Sequence, residues 1–546
     1  MYDAIVVGSG ATGGVAAKEL AEQGLRVLVL EAGREIDPQA DLGHPVRDMG
    51  KRFYNLLISR QQSFQATHPG YWKTNPDLFI DEKENPYTTP ADKPFYWIRG
   101  RQVGGKSLTW GGITLRLSDY EFKAASRDGY GQDWPIAYAD LAPYYDKLER
   151  FLQVHGARDG LAQLPDGQYL SAAPLTPAEL HFKSVVESQW GDRQMIISRG
   201  FPLHKPTPEH PWSRSSSQGA ALKAAMATGK VTLQSDAVVS HIVFDPETRK
   251  ARGVRYIDRV DKTAHEVWGR IVVLCASTIE SVRILLNSTA EHQPGGLLNT
   301  SGLLGRFLMD HVSTTTFFFL PGFKPPERPF ELSGCDSFFI PCFCNLDAQQ
   351  ELFLRGYGLW GGIQRFDPPG LFRKVGEGAI GFLVAHGEVL PRAENQVRLN
   401  PDVVDAWGIP VAHIDCAWSE NERLMLTHMH DQIETMVKLA GGQCMRFTDL
   451  FRIPVFTNSM RQQEEMMAFA APPGYYIHEV GGACMGTTAT NSVVNANNQC
   501  WEAPNLLVTD GACWVSTGWQ SPTLTEMVIT ARACNLIATK MHRGGL

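Results

Sequence analysis

Apolar residues along the chain fall into short blocks, and their spacing predicts the elements. Ala4-Ile5-Val6-Val7 is a short apolar run that predicts a strand. Helix formers follow from Val15 to Gln23, with Gly24 placed to stop them, and Arg26 to Leu30 (RVLVL) is a second apolar strand ending at Glu31. From Gly33 to Trp97 the pattern turns irregular and rich in proline and aromatic residues, which predicts an extended excursion and not a second strand–helix–strand unit. Alternation returns in Val231–Leu233, Ala237–Phe244 and Gly253–Tyr256, the pattern of a β-meander. Ile271–Leu274 predicts a buried strand leading through Ala276-Ser277 into a helix over Ile279–Leu286. Ser313 to Met466 mixes strands with one long helical pattern, Glu420–Leu439, and reads as a separate sheet-based unit. Asn505–Val508 predicts a late strand, and Leu524, Met527, Val528, Ala531 and Leu536 repeat near a 3.6 period. Ser521 is the N-cap candidate of that last helix and Pro522 suits its first position.

The bulk numbers narrow the class. At 546 residues the chain allows three or four units of about 150 residues. With 43% hydrophobic and 20% charged residues it is neither disordered nor fibrous. A net charge of -7, with Lys and Arg spread along the chain, lacks the footprint of a nucleic-acid binder. No run reaches 18 apolar residues; the richest stretch, Thr314 to Leu320, is too short to span a bilayer. The ten cysteines are scattered without a CxxC, which reads as reduced, buried thiols and no metal site. No targeting peptide precedes the first strand, so the expected compartment is the cytoplasm, export alongside a signal-bearing partner subunit being the alternative.

Candidate chemistry begins at Gly8-Ser9-Gly10-Ala11-Thr12-Gly13, a GxGxxG placed between strand and helix with an acid, Glu31, 18 residues past its third glycine. Gly8 permits the tight turn, Gly10 lets backbone amides approach a pyrophosphate, and Gly13 allows close helix–strand packing. Phosphates then sit at the positive helix N-terminus. Glu31 would accept from ribose hydroxyls and disfavour a 2′-phosphate. A parallel α/β unit with a decorative glycine turn is the bland alternative. Gly100-Arg101-Gln102-Val103-Gly104-Gly105-Lys106-Ser107, followed by Thr109-Trp110-Gly111-Gly112, suggests backbone lying against a flat or charged ligand, or else a plain turn. Ile477-His478-Glu479-Val480-Gly481-Gly482, Thr509-Asp510-Gly511 and Pro522-Thr523-Leu524-Thr525 punctuate the last eighty residues.

In this order those landmarks, with Ala276 to Asn287 and Gly305-Arg306-Phe307-Leu308-Met309-Asp310-His311, resemble the glucose–methanol–choline (GMC) family of FAD-dependent oxidoreductases along the whole chain. Asp133-Trp134-Pro135-Ile136, and Leu390-Pro391 through Gly408-Ile409-Pro410, resemble its bacterial sugar and polyol dehydrogenase branch, which includes glucoside 3-dehydrogenases. The resemblance implies an α/β (α+β overall) fold of the p-hydroxybenzoate-hydroxylase type. Its Rossmann-type FAD-binding domain would be built from residues 1–35, 95–125, 220–312 and 470–546, with a sheet-based substrate-binding domain from 126–219 and 313–469 and a lid over 36–94. It implies that FAD contacts Gly8, Gly10, Ala11, Thr12, Gly13, Glu31, Arg101, Gly104, Gly105, Ser107, Thr109, Ala276, Asp510, Gly511, Thr523 and Leu524. The last helix would point its dipole at the flavin N1–C2=O edge.

The implied reaction is oxidation of an alcohol of a sugar, glycoside or polyol by hydride transfer to flavin N5, with C3 oxidation to a 3-keto-glycoside as one form. His478 matches the base, which acts as neutral imidazole, so activity should fall as pH drops through its pKa. The usual second Asn or His is Ser521 here. Either Ser521 works through a water, or Gln520 or Trp519 reshapes the site, or another histidine substitutes, or Ser521 is only a cap. Thr109 stands where some relatives carry a flavin-linked histidine, so FAD is expected to be non-covalent. Gly200 to Ser217 holds no cysteine, so no iron–sulfur cluster is expected. The electron acceptor would be a quinone, a cytochrome or oxygen, with dehydrogenase favoured over oxidase and room for a small partner subunit. A non-sugar alcohol as substrate, and a flavin-binding protein of weak activity, are the competing readings.

Overall fold

Strand Tyr2–Val7, helix Ala11–Glu22 and strand Val27–Leu30 form in the order the pattern predicts, in a computed structural model that describes residues 1–42, 44–288, 299–324, 330–366, 370–452, 461, 464–465 and 467–545. The helix starts at Ala11, ahead of the apolar run, although Gly13 and Gly14 are poor helix formers. Close packing overrides propensity there: a Cβ on Gly13 would lie 2.0 Å from the Gly8 carbonyl oxygen, and one on Gly14 would lie 2.2 Å from Ser217 Oγ.

Tyr2–Val7 pairs in parallel with Val27–Leu30 on one side and Ala264–Leu274 on the other. Val231–Gln234 extends the parallel edge beyond Val27–Leu30, and Leu506–Val508 joins Ala264–Leu274 from the far end of the chain. The expected meander is therefore corrected. Its first member, Val231–Leu233, belongs to the parallel sheet, while Ala237–Asp245, Lys250–Asp258 and the outer half of Ala264–Leu274 form the antiparallel ribbon. Ala264–Leu274 is 11 residues long, enough to leave the ribbon and enter the sheet at Gly269. Val27–Leu30 is buried throughout, as a parallel strand covered on both faces requires. Helices Ala11–Glu22 and Thr523–His542 lie against each other over it and share one core with Val6, Val29, Ile271 and Leu507.

A second sheet is antiparallel throughout, in the order Gln443–Met445, Val312–Pro321, Gly378–Gly387, Tyr357–Ile363, Phe338–Ile340 and Ile196–Ile197. Helix Glu420–Leu439 opens with a capping box from Ser419 and Glu422 and buries Met425 and Met429 over Gly387, where any Cβ would clash with both. The expected unit boundary at Met466 lies outside the described residues.

The stretch from Gly33 to Trp97 is not extended. It holds short helical turns at Pro38–Asp41, Pro45–Phe53, Pro69–Lys73 and Pro76–Leu78. Each begins with proline at its first position and is capped by the preceding side chain, from Asp37, His44, His68 or Asn75. The prolines read as irregularity are helix starts. All ten cysteines are unpaired thiols and nine are buried. Among the described residues no helix is long and apolar enough to cross a membrane.

Candidate active site

One cavity of about 2010 Å³ runs from the glycine turn, past the N-terminus of the last helix, to the face of the antiparallel sheet. It exceeds the roughly 300–1,000 Å³ usual for one small ligand and suits a dinucleotide together with a substrate. At its sheet-one end Glu31 is buried, accepting from Ser9 N and Oγ (3.1 and 2.6 Å) and from Gly33 N (3.0 Å). Burial raises its pKa, while Ser9 and Gly33 oppose the rise. Gly8 has φ +99, and a Cβ there would sit 2.2 Å from the Cys275 carbonyl oxygen, so only glycine makes this turn. Beyond Gly10, by contrast, a Cβ meets only Gly104 O at 4.0 Å, which leaves open space where backbone amides face the cavity. Ser9 Oγ also accepts from Gly104 N (3.0 Å), tying the second glycine loop to the first. Arg101, which lines the cavity, has its Nη1 buried without a partner, a cation beside a cradle of amides. That donor set fits the pyrophosphate and ribose of FAD.

The middle of the cavity is crowded with charge. Burial alone would raise Glu280, but Arg283, Arg101 and Arg99 hold it down to about 2. Lys106 pairs with Glu479 (3.3 Å), linking the second glycine loop to the residue after His478. Burial lifts Asp510 to about 6, and burial with Asp510 lifts Glu526, in the first turn of the last helix, to about 8. A protonated Glu526 leaves the positive helix end uncancelled at neutral pH.

Tyr476 and His478 line the next stretch, with the buried His311 and His386 behind them. The His478 and His311 Nδ1 atoms lie 2.8 Å apart, His311 Nε2 is 2.6 Å from the Gly518 carbonyl oxygen, and the Tyr476 hydroxyl meets His386 Nε2. Asp310 sets the backbone here: its Oδ1 accepts from His311 N (2.8 Å) and His478 N (3.0 Å), its Oδ2 from Gly474 N (2.8 Å). Between these anchors Ile477 is held at φ 64, costly for a β-branched residue on the order of 1–3 kcal/mol, and this turns His478 into the cavity. Burial first, then His311, His386, Lys106 and His68, keep the His478 pKa well below 6.5, so its ring is neutral at pH 7.

The structure sorts the expected residues. Gly8, Gly10, Ala11, Thr12, Glu31, Arg101, Gly105, Ser107, Thr109, Ala276, Asp510 and Thr523 line the cavity with His478 and Ser521. Gly13, Gly104, Gly511 and Leu524 stand behind that lining; a Cβ on Gly511 would lie 2.3 Å from Thr278 Oγ1, and Leu524 is core. Gln520 lies off the cavity, fully buried, with Nε2 3.4 Å from the Gln163 carbonyl oxygen. Trp519 packs on Gly358 and Phe339, also off the cavity. Ser521 is not the helix cap. Pro522 holds that place, already helical at φ -74, ψ -25 and without a side-chain cap bond. Residues that sequence reasoning left unassigned here are His311, Asp310, Tyr476, His386, Lys106 and Glu526. His311 and Asp310 sit in a quoted motif, but their contact with His478 spans more than 160 residues and has no local signal.

Outside the cavity, Cys344, Glu351 and His428 offer ligand atoms within 4.8 Å of one another. Burial raises the Cys344 thiol well above its ordinary pKa, while the nearby Arg193 guanidinium pulls both Cys344 and His428 towards their deprotonated forms.

The family model "GMC oxidoreductase" matches residues 2–313, and its C-terminal counterpart matches residues 391–530. The chain is 26% identical to the 2-methyl-1,2-propanediol dehydrogenase of Mycolicibacterium austroafricanum, over 98% of this chain and 95% of that one. It is 25% identical to the fructose dehydrogenase large subunit of Gluconobacter japonicus, over 99% and 98%. It is also 26% identical to the paromamine 6′-oxidase of Streptomyces fradiae, over 98% and 91%. Among solved structures, pyridoxine 4-oxidase from Mesorbium loti superposes with a TM-score of 0.62 at 18% identity, covering 99% of each chain. The chain belongs to the GMC oxidoreductase family and is an FAD-dependent oxidoreductase acting on alcohols.

Proposed function

We propose that this GMC oxidoreductase oxidises a hydroxyl of a sugar, glycoside or polyol, with His478 as the base. The single observation that carries the reading is a neutral imidazole facing the cavity between the glycine cradle and the start of the last helix. Bound FAD supplies the hydride acceptor. Gly10 and the amides of the first helix would hold its pyrophosphate, and Glu31 its ribose. His478 takes the hydroxyl proton as the carbon–hydrogen bond is lost, and the Lys106–Glu479 pair keeps the two loops that flank it together. The sugar reading is supported by relatives whose names carry a diol, fructose and paromamine. Within it, C3 oxidation of a glycoside is the finer proposal, with a quinone, a cytochrome or oxygen as acceptor and a small partner subunit as a further element. Trp360, Phe382 and Phe317 on the far wall would stack on a pyranose ring and serve an apolar alcohol equally, so both classes belong in the screen.

The test is anaerobic bleaching of the visible flavin band by candidate sugars and alcohols. His478→Ala is expected to abolish this bleaching while FAD stays bound; reduction near wild-type speed would remove His478 from the role. Thr109, which cannot form the flavin link, donates to the Lys106 carbonyl oxygen (3.3 Å), and FAD is proposed to be non-covalent. Acid precipitation should then release the yellow colour into the supernatant, and colour retained in the pellet would contradict it.

A further inference from the structure

His311 and His478 meet edge to face, ring centroids 4.9 Å apart and planes at 80°, with their Nδ1 atoms in hydrogen-bond contact. Two imidazole nitrogens can share one hydrogen bond only if one carries the proton and the other offers a lone pair. The far end of His311 decides which is which. Its Nε2 lies 2.6 Å from the Gly518 carbonyl oxygen, an atom that only accepts, so Nε2 carries a proton. Burial holds His311 down to about 4, and a neutral ring has no second proton. Its Nδ1 is therefore the acceptor, and His478 Nδ1 is the donor. His478, neutral as well, is left with a bare Nε2. The Tyr476 hydroxyl is engaged with His386 Nε2 and does not compete for this bond.

We propose that His311 is the positioning residue of the alcohol oxidation, accepting from His478 Nδ1–H and so fixing the tautomer whose Nε2 is the base. The inference rests on the reading of His478 given above. In the step, the substrate O–H bond breaks and an Nε2–H bond forms. The hydrogen on the same carbon leaves with its electron pair to the bound cofactor, and the C–O bond becomes a carbonyl. The His478 imidazolium keeps its Nδ1–H directed at His311. A chain carbonyl, a neutral histidine and the base thus form a line that starts at Gly518 and ends in the cavity. This would supply what Ser521 does not, since Ser521 contributes neither a ring nor a cap.

His311→Leu removes the acceptor and His311→Asn returns one near the Nδ1 position. The leucine variant is expected to slow substrate-driven flavin reduction by about 10²–10³-fold at saturating substrate, less than the roughly 10⁴-fold cost of a tautomer actively held wrong because leucine only removes the acceptor, with KM and bound FAD nearly unchanged. The asparagine variant should recover at least about tenfold of that loss, which a packing defect would not. Nitrogen-15 spectra of the histidine-labelled wild-type protein, assigned against His478→Ala, give a readout independent of turnover and of whether the variants fold. They should show a protonated Nδ1 and an unprotonated Nε2 on His478. A protonated Nε2 overturns the proposal, as does a leucine variant within about threefold of wild type. If His478→Ala itself reduces normally, the base assignment falls and takes this inference with it; if only the His311 variants behave as wild type, the base stands and the positioning role falls.

Discussion

The two ends of the cavity are built from different material. The glycine cradle is mostly backbone, drawn from residues 8–33 and held by contacts within that stretch, with one loop from 100–107 tied on at Ser9. The histidine cluster is side chains from three separated places, 310–311, 386 and 476–478, closed by the Gly518 carbonyl. A backbone cradle depends on the absence of atoms, and a side-chain cluster depends on hydrogen bonds being made. The first should fail abruptly when volume is added, and the second by degrees as partners are removed.

The largest effect is expected from Gly8→Val. With the Cβ forced to 2.2 Å from the Cys275 carbonyl oxygen, at a φ a branched residue avoids, the purified protein should carry almost no FAD. The ratio of the visible flavin band to protein absorbance measures this, and a fully yellow variant would erase the contrast. Asp310→Asn should do less. Its two oxygens accept three backbone N–H groups, and an amide leaves at least one of them facing an NH₂. A loss of roughly 1–3 kcal/mol in a denaturant titration is expected, with FAD retained and flavin reduction slowed. A midpoint equal to wild type would show that the loop before His478 holds without this carboxylate.

The smallest expected effect is on pH. Because the His478 pKa lies well below 6.5, protonation of the base between pH 6.5 and 8 is slight and should hardly change the reduction rate; any slope in that window reports Asp310, raised to about 7, or Glu526, raised to about 8. The loss through His478 should come only in more acid solution, as the base becomes imidazolium. A rate that halves near pH 6.5 with the protonation of His478 would mean that the cavity is wetter, or the cluster looser, than the burial implies.

The same contrast explains what could be read from the chain beforehand. The cradle is a local pattern, and its strand, turn, helix and acid lie within 31 residues, where spacing carries geometry. The parallel role of Val231–Gln234 was hidden because a four-residue strand gives no periodicity to tell a ribbon from a sheet edge. The position of Gln520 is illegible for a different reason. This residue precedes Ser521 in an irregular lead-in that has no period from which to read a side-chain direction, and its amide turns inward to the Gln163 carbonyl oxygen. His311 could be quoted as part of a motif, but its tautomer depends on a carbonyl more than 200 residues away.

Leu506–Val508 sits in register beside Ala264–Leu274, yet emerges about 230 residues after it. At a translation speed of about 5–20 residues per second, the nascent dinucleotide cradle waits roughly ten to fifty seconds before its last strand and its histidine reach it. During that interval an apolar strand edge is bare and a cofactor that docked would be half enclosed, so loading on the ribosome would have to be reversible until the final helix closes over the sheet.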